Sequence, residues 1–173
     1  MSFYQVNPTQ TEILYAEAIK VANIQKEDVV LDLYCGIGTI GIYASKFAKQ
    51  VYGIEIIEQA IEDAKENARE NKIENIEFIC GDVEQALAEL LENKKVQPNV
   101  ILVDPPRRGL DNTIIQNIMK VEPNKLVYIS CNPATMVRDL KQFEEKYIVS
   151  EIQPVDMFPF TSHVENVTLL MKK

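Results

Sequence analysis

Apolar residues along the chain fall into short runs, and longer amphipathic stretches separate them. "VVLDLY" (29–34), "VYGIE" (51–55), "IEFIC" (76–80), "VILVD" (100–104) and "KLVYISC" (125–131) each carry one strand's worth of β-branched and aliphatic residues. Each is followed by a helix-like segment: "TIGIYASKFA" (39–48), "IEQAIEDAKENARENK" (57–72), "VEQALAELLEN" (83–93), "NTIIQNIMKV" (112–121) and "ATMVRDLKQFEEK" (134–146). In the second of these, Ile57, Ala60, Ile61, Ala64 and Ala68 recur at helical spacing, so one face is dry and the other wet. "QTEILYAEAIKVANI" (10–24) adds a helix ahead of the first strand. "YIVSEIQPVDMF" (147–158) and "VENVTLLMK" (164–172) add two strands with only a loop between them.

Strands that alternate with helices predict a parallel sheet covered by helices on both faces. The closing pair without a helix predicts a hairpin, which puts one antiparallel strand into an otherwise parallel sheet of seven. The expected class is therefore α/β and Rossmann-like, with residues 1–173 as one domain. Ligands of such sheets bind beyond the carboxyl ends of the parallel strands. That rule selects Asp32 to Gly38 (with Tyr34 and Gly36 among them), Glu55, Asp82, Asp104 to Arg108, and Ser130 to Pro133.

Composition narrows the setting. The formal charge of −8 argues against a domain that grips nucleic acid by bulk electrostatics, while leaving room for a local basic site. No apolar run is long enough to span a bilayer, and "MSFYQVNPTQTE" lacks the basic and apolar regions of a signal peptide. Cys35, Cys80 and Cys131 are far apart with no C-x-x-C pair, which fits a reducing, cytoplasmic setting and suggests neither a metal site nor a disulfide framework.

"DLYCGIGTIG" (32–41) contains Gly36-x-Gly38-x-x-Gly41, with Glu55 nineteen positions after Gly36 at the tip of the second strand. Glycines let a loop turn sharply and approach a ligand, and a carboxylate at that tip can take both hydroxyls of a ribose. NAD and S-adenosylmethionine are both bound in this way, and the loop alone does not choose between them. Asp82, ending "CGD" (80–82), can accept from an adenine amino group or cap the following helix. The chain holds no second sheet for a nicotinamide-side substrate domain, which weighs against NAD.

"VDPPRRGLD" (103–111) aims Asp104 at the same rim and stiffens the turn after it with two prolines. "LVYISCNPATMVRDL" (126–140) delivers Cys131 to the end of a buried strand, where Asn132-Pro133 stops the run. By itself a buried cysteine is more often inert filler. "DMFPFTSHVENVTLL" (156–170) places the only histidine, His163, and Glu165 at the start of the last strand. A lone histidine serves as often for structure as for catalysis.

"FYQVNP", "DLYCGIGTIG", "DPPRRG", "SCNPATMVRDL" and "FPFTSHVENVTLL" occur in the order that characterises the RNA uracil-C5 methyltransferases, and the chain resembles that family over essentially its whole length. The last three motifs together are specific; the glycine loop alone is not. The resemblance implies an S-adenosylmethionine-dependent enzyme that makes 5-methyluridine in ribosomal RNA first or transfer RNA second. It implies Cys131 as nucleophile, Glu165 as base, and Asp104 near the uracil edge. It also implies that Gln5, Asp32, Tyr34, Gly36, Gly38, Glu55, Asp82 and Asp104 hold the cofactor, and that Phe3 or Tyr4 stacks on a flipped base. Members often carry histidine where Phe160 stands, so that position is not expected to be essential. Full-length members carry RNA-binding segments ahead of this domain, some with an iron–sulfur cluster. The chain is thus expected to be the catalytic domain alone and to need those segments to bind RNA well.

The chemistry asks for these residue types. Carbon 5 of uracil is a weak nucleophile until a thiolate adds to carbon 6 and converts the ring to an enolate; a base must then remove the carbon-5 proton so that the cysteine can leave. Nearby cations, Arg107 or Arg108, are expected to ease ionisation of the thiol. Two other readings compete: a methyltransferase for an amino group, which needs no cysteine, and a nucleotide-binding module without catalysis, which needs none of Asp104, Cys131 and Glu165.

Overall fold

The computed structural model describes residues 7–92, 95–157, 159–161 and 163–173. Phe3, Tyr4 and Gln5 lie outside them. Helix α1 (Pro8–Ala22) precedes β1 (Val29–Leu33), α2 (Thr39–Ser45), β2 (Gln50–Glu55), α3 (Glu58–Glu70), β3 (Ile76–Cys80), α4 (Val83–Glu92), β4 (Val100–Val103), α5 (Asn112–Val121), β5 (Lys125–Ser130), α6 (Pro133–Phe143), β6 (Tyr147–Val155) and β7 (Glu165–Lys172). The strands form one sheet in the order β3-β2-β1-β4-β5-β7-β6. Neighbours among β1 to β5 are parallel. Strand β7 runs against both β5 and β6, so the expected single antiparallel strand is present, inserted between them.

Side-chain alternation divides the core. Leu31, Leu33, Ile101, Val103, Leu126 and Tyr128 point to the face covered by α4, α5 and α6, where Leu87, Leu90, Ile115, Ile118 and Phe143 pack on them. Val30, Leu102, Val127 and Ile129 point to the other face, under Leu14, Ala18, Ile40 and Ala44 of α1 and α2. Helix α3 adds Ile61, Ala64 and Ala68 against Phe78 and Cys35. Each such large side chain contributes about 1.5–3 kcal/mol on burial, so β1, β4 and β5, dry on both faces, form a rigid platform for the loops at their carboxyl ends.

The elements stop where local chemistry stops them. Tyr34 leaves β1 because its φ of 63° is left-handed and incompatible with a strand. Asn7 caps α1 by accepting the Gln10 N–H at 3.3 Å. Asn132 caps α6 by accepting from the Ala134 N–H at 3.1 Å, with Pro133 in the first turn, so β5 ends at Ser130 and Cys131 sits in the turn itself.

Candidate active site

The glycine loop is built around Glu55. One carboxylate oxygen accepts the Gly36 N–H at 3.2 Å, and the other accepts those of Ile56 and Ile57 at 2.9 and 3.0 Å. Glu55 thereby ties the loop after β1 to the end of β2. Oε1 has both its lone pairs engaged and Oε2 keeps one, so the carboxylate can still accept from a ribose hydroxyl.

The glycines have separate tasks. Gly36 has φ +54° and open space where a Cβ would stand, which suits a close approach by a ligand. Gly38 also serves the packing: its N–H is taken by the Cys35 carbonyl at 2.8 Å, and a Cβ would lie 2.7 Å from the Phe78 ring, so no larger residue fits the turn into α2.

Asp82 caps α4: its Oδ1 accepts from Glu84 and Gln85 N–H at 3.0 and 3.4 Å, leaving Oδ2 free of these two bonds. Beside Glu55, Ile56 and Ile57 are 63% and 44% exposed, an apolar rim between β2 and β3. The helical pattern puts Ile57 on the dry face of α3, but it stands at the N-cap with its side chain exposed, and Ile56 beside it has no signal in that pattern.

Asp32 sits one strand inward, 1% exposed and covered by Gly41. Its Oδ2 has no hydrogen-bond donor among the described residues. Burial pushes its carboxyl up to about 7, with Glu55 adding to the rise and the Gly41 N–H opposing it. Asp104, at the next strand end, is pushed up to about 8 by burial first, then by Glu165 and Asp32. Glu55, Asp32, Asp104 and Glu165 thus follow the order of the strand ends β2, β1, β4 and β7. Such a strip favours a cation and accepts donors.

Cys131 and Glu165 meet at the far side. Ser130 pairs with Asn166 across β5 and β7, so Glu165 begins its strand beside the turn that holds Cys131. Only an antiparallel β7 brings its first residue to this end of the sheet. Ser130 shapes the turn: its Oγ donates to the Asn132 carbonyl and accepts the Asn132 N–H, both at 3.0 Å. Glu165 is 3% exposed, and burial pushes its carboxyl up to about 7 against the pull of Arg107.

The expected cation at the thiol is Arg107, whose carbonyl accepts from Asn132 Nδ2 at 3.2 Å, next to Cys131, and whose charge favours the thiolate. Arg108 is not its partner: it pairs with Asp111 at 3.0 Å. Arg107 eases ionisation of the thiol as expected, but it is outweighed. Burial, then Glu165 and Asp104, raise the Cys131 thiol above its ordinary value, and Arg107 only opposes them. Cys35 is buried in the core, and Cys80 is exposed at the end of β3. His163 is exposed, with its backbone N–H donating to Thr161 Oγ1 at 3.2 Å.

Among the described residues no group of three or more His, Cys, Asp or Glu is placed to hold a metal ion. No described helix is long and apolar enough to cross a membrane.

The family model of the tRNA (uracil-5-)-methyltransferases matches residues 1–173. An RNA methyltransferase of Enterococcus faecalis, itself uncharacterized, is 51% identical over 172 residues, 99% of this chain and 37% of that protein. A similar protein of Staphylococcus epidermidis is 47% identical over 173 residues, 100% of this chain and 38% of its own length. The crystal structure of Pyrococcus abyssi tRNA (uracil-54, C5)-methyltransferase in complex with S-adenosyl-L-homocysteine superposes with a TM-score of 0.80 at 35% identity, over 98% of this chain and 40% of that one. Precorrin-6y C5,15-methyltransferase of Geobacter metallireducens, TM-score 0.73 and 15% identical, shares the fold. The chain therefore spans about two fifths of the length of these longer relatives.

Proposed function

Because the chain belongs to the tRNA (uracil-5-)-methyltransferase family, we propose that it is the catalytic part of an S-adenosylmethionine-dependent enzyme that methylates carbon 5 of a uridine in RNA. The observation that carries this reading is the convergence of Cys131, Glu165, Asp104 and Arg107 at adjoining strand ends beside the glycine loop. A methyltransferase for amino groups has no use for the cysteine, and a binding module has no use for the set.

The cofactor fits the residues present. Its sulfonium and ammonium suit the carboxylate strip, its ribose suits Glu55, and its adenine suits Ile56 and Ile57, with Asp82 at the edge. The unpartnered Asp32 Oδ2 is a buried acceptor within that strip. S-adenosylmethionine supplies the electrophilic methyl group that carbon 5 takes up. Gln5 and Tyr34 belong to the proposed cofactor site on the family resemblance, and Phe3 or Tyr4 to the base pocket.

Cys131 adds to carbon 6 as the thiolate. Arg107 stabilises that thiolate, and charge on Glu165 and Asp104 disfavours it, so attack is favoured with Asp104 protonated and the Glu165 carboxylate, which must stay ionised to act as base, facing the Arg107 cation. With a value of about 7, Glu165 is poised near neutrality to take the carbon-5 proton. Asp104, pushed up to about 8, holds a proton with which it can hydrogen-bond the uracil edge. The uridine must leave its stack to reach these groups, at a cost of a few kcal/mol. A charge of −8 gives little long-range help, so we assign most of the grip on RNA to parts of the longer relatives outside this span, and the work to the cytoplasm.

The test uses the full-length protein with S-adenosylmethionine carrying a labelled methyl group, and transfer and ribosomal RNA transcripts as separate substrates. Nucleoside mass spectrometry should find 5-methyluridine in one of them. Label on any other atom, or wild-type turnover by Cys131→Ala, would refute the proposal.

A further inference from the structure

Asp139, on α6, is completely buried, and the reaction described above makes no use of it. A buried carboxylate costs several kcal/mol unless donors surround it. This one is surrounded. Its Oδ2 accepts from the Tyr128 hydroxyl and from the Leu110 N–H, both at 2.7 Å. Its Oδ1 accepts from Arg138 Nε at 2.8 Å and Nη2 at 2.6 Å. The same Nη2 donates to the Arg108 carbonyl at 2.8 Å. One turn earlier on α6, Thr135 Oγ1 and Asn132 Nδ2 each donate to the Arg107 carbonyl at 3.2 Å. Gly109 completes the fit: with φ +81°, it occupies a place where a Cβ would run into Asp139 Oδ2.

The segment from Arg107 to Leu110 is therefore gripped by α6 at the Arg107 and Arg108 carbonyls and the Leu110 N–H, and the grip is anchored on β5 through Tyr128. A fully satisfied buried network of this kind enforces one geometry. What that geometry places is Arg107, whose backbone is held against Asn132, the neighbour of Cys131, and whose charge acts on both Cys131 and Glu165.

We propose that Asp139, together with Arg138, is a positioning residue that clamps the Arg107–Leu110 segment to α6 and so keeps the Arg107 guanidinium beside Cys131. The importance of this contact rests on Cys131 being the nucleophile, but the clamp can be read without RNA or cofactor.

The measurement is alkylation of Cys131 by iodoacetamide from about pH 6 to about pH 10, a range that brackets ordinary thiol ionisation. Each cysteine peptide is quantified by mass spectrometry, because Cys80 is exposed as well. The groups acting on the Cys131 thiol are Glu165, Asp104 and Arg107. Asp139→Asn removes a negative charge, which by charge alone would favour the thiolate and move the profile to lower pH. The clamp demands the opposite. Arg107 drifts away, the profile moves to higher pH, and Cys131 alkylation near neutrality falls several-fold while Cys80 is unaffected. Arg138→Lys keeps the charge and loses the fork, and its side chain is 53% exposed, so it folds even where Asp139→Asn does not; it should move the profile the same way. Arg107→Gln sets the ceiling, and combining it with Asp139→Asn should add little. Unchanged or downward-shifted profiles in both clamp variants would overturn the proposal. A separate assay with 5-fluorouridine RNA keeps the two readings apart: absence of an adduct on the wild-type protein would count against the proposed reaction and leave the clamp standing.

Discussion

Cys131 and Glu165 stand beside each other at the ends of two strands that run in opposite directions, and the Ser130–Asn166 pair fixes their register. One follows the last residue of its strand at the sheet's carboxyl edge, and the other opens its strand there. The proposed nucleophile and base are thus fixed at the edge of the sheet, Glu165 within β7 and Cys131 in the turn next to Ser130. In full-length protein, Cys131→Ala should abolish methylation and form no covalent complex with RNA containing 5-fluorouridine. Glu165→Gln should still attack and take up the methyl group, then stall as a covalent adduct on ordinary RNA. Turnover should fall by about 10²–10⁴, the usual worth of a general base. Denaturing gels and intact-mass measurements distinguish the two stalls; a Glu165→Gln enzyme with normal turnover would remove that residue from its role.

Three carboxyls, Asp32 and Glu165 buried and Asp104 partly buried, make stability depend on pH. Asp32, Asp104 and Glu165 are raised to about 7, 8 and 7, whereas the unfolded chain releases those protons near its ordinary carboxylate values. Between those limits the folded protein holds more protons, so stability falls as pH rises. Their contribution is fully present below about pH 4 and is lost as pH climbs through the folded values. Thermal unfolding from about pH 5 to about pH 8.5 should show a falling Tm. Asp32→Asn, which cannot ionise, should flatten the curve and stabilise the protein at the alkaline end by on the order of 2 kcal/mol. A Tm that climbs with pH would contradict the burial of these groups.

The two glycines of the loop separate binding from folding. Gly36→Ala places its methyl group in open space and should cost about 1 kcal/mol for the left-handed backbone, while blocking the cofactor. Gly38→Ala drives a methyl group into Phe78 and Ala64 and should cost about 2–4 kcal/mol in stability from strain and overpacking together. Urea unfolding and titration with S-adenosylhomocysteine, run side by side, should show affinity lost first in one variant and stability lost first in the other.

Glu55→Gln tests the anchor of the same loop. An amide has one acceptor oxygen, so it can serve Ile56 and Ile57 or Gly36, but not both sides at once. Cofactor affinity should fall by about 1–3 kcal/mol, the usual loss for charge-assisted hydrogen bonds. Undiminished binding by titration calorimetry would show that the carboxylate is structural alone.

Much of this molecule could be read in the linear chain because its signals are local. Period-2 and period-3.6 apolar patterns depend only on neighbours, so α5 over Asn112–Val121 and β3 over Ile76–Cys80 stand where the patterns put them. The strand-end rule then selected Glu55, Asp82, Asp104 and Cys131 for inspection. Tyr34 shows where such reading fails: an aromatic residue continues a strand pattern, but the turn to Gly36 requires a left-handed backbone. Gly38 adds a packing role that the pattern of glycines does not show, since only the fold puts Phe78 and Ala64 where its Cβ would stand.

By itself the sequence determined the number and kind of the elements and the residue types available for chemistry at their ends. Only the tertiary structure decided that β7 lies between β5 and β6. A hairpin can join a sheet by either strand, and the choice rests on long-range packing: Val167 and Leu169 cover one face and Leu170 the other. Had β6 paired with β5, Glu165 would stand one strand spacing, about 4.8 Å, farther from Cys131. The state of the thiol was decided in the same way. The chain contains arginines near the cysteine, but only the folded arrangement shows that burial and two carboxylates outweigh Arg107 there, because charge interactions depend on distance and burial rather than on order along the chain.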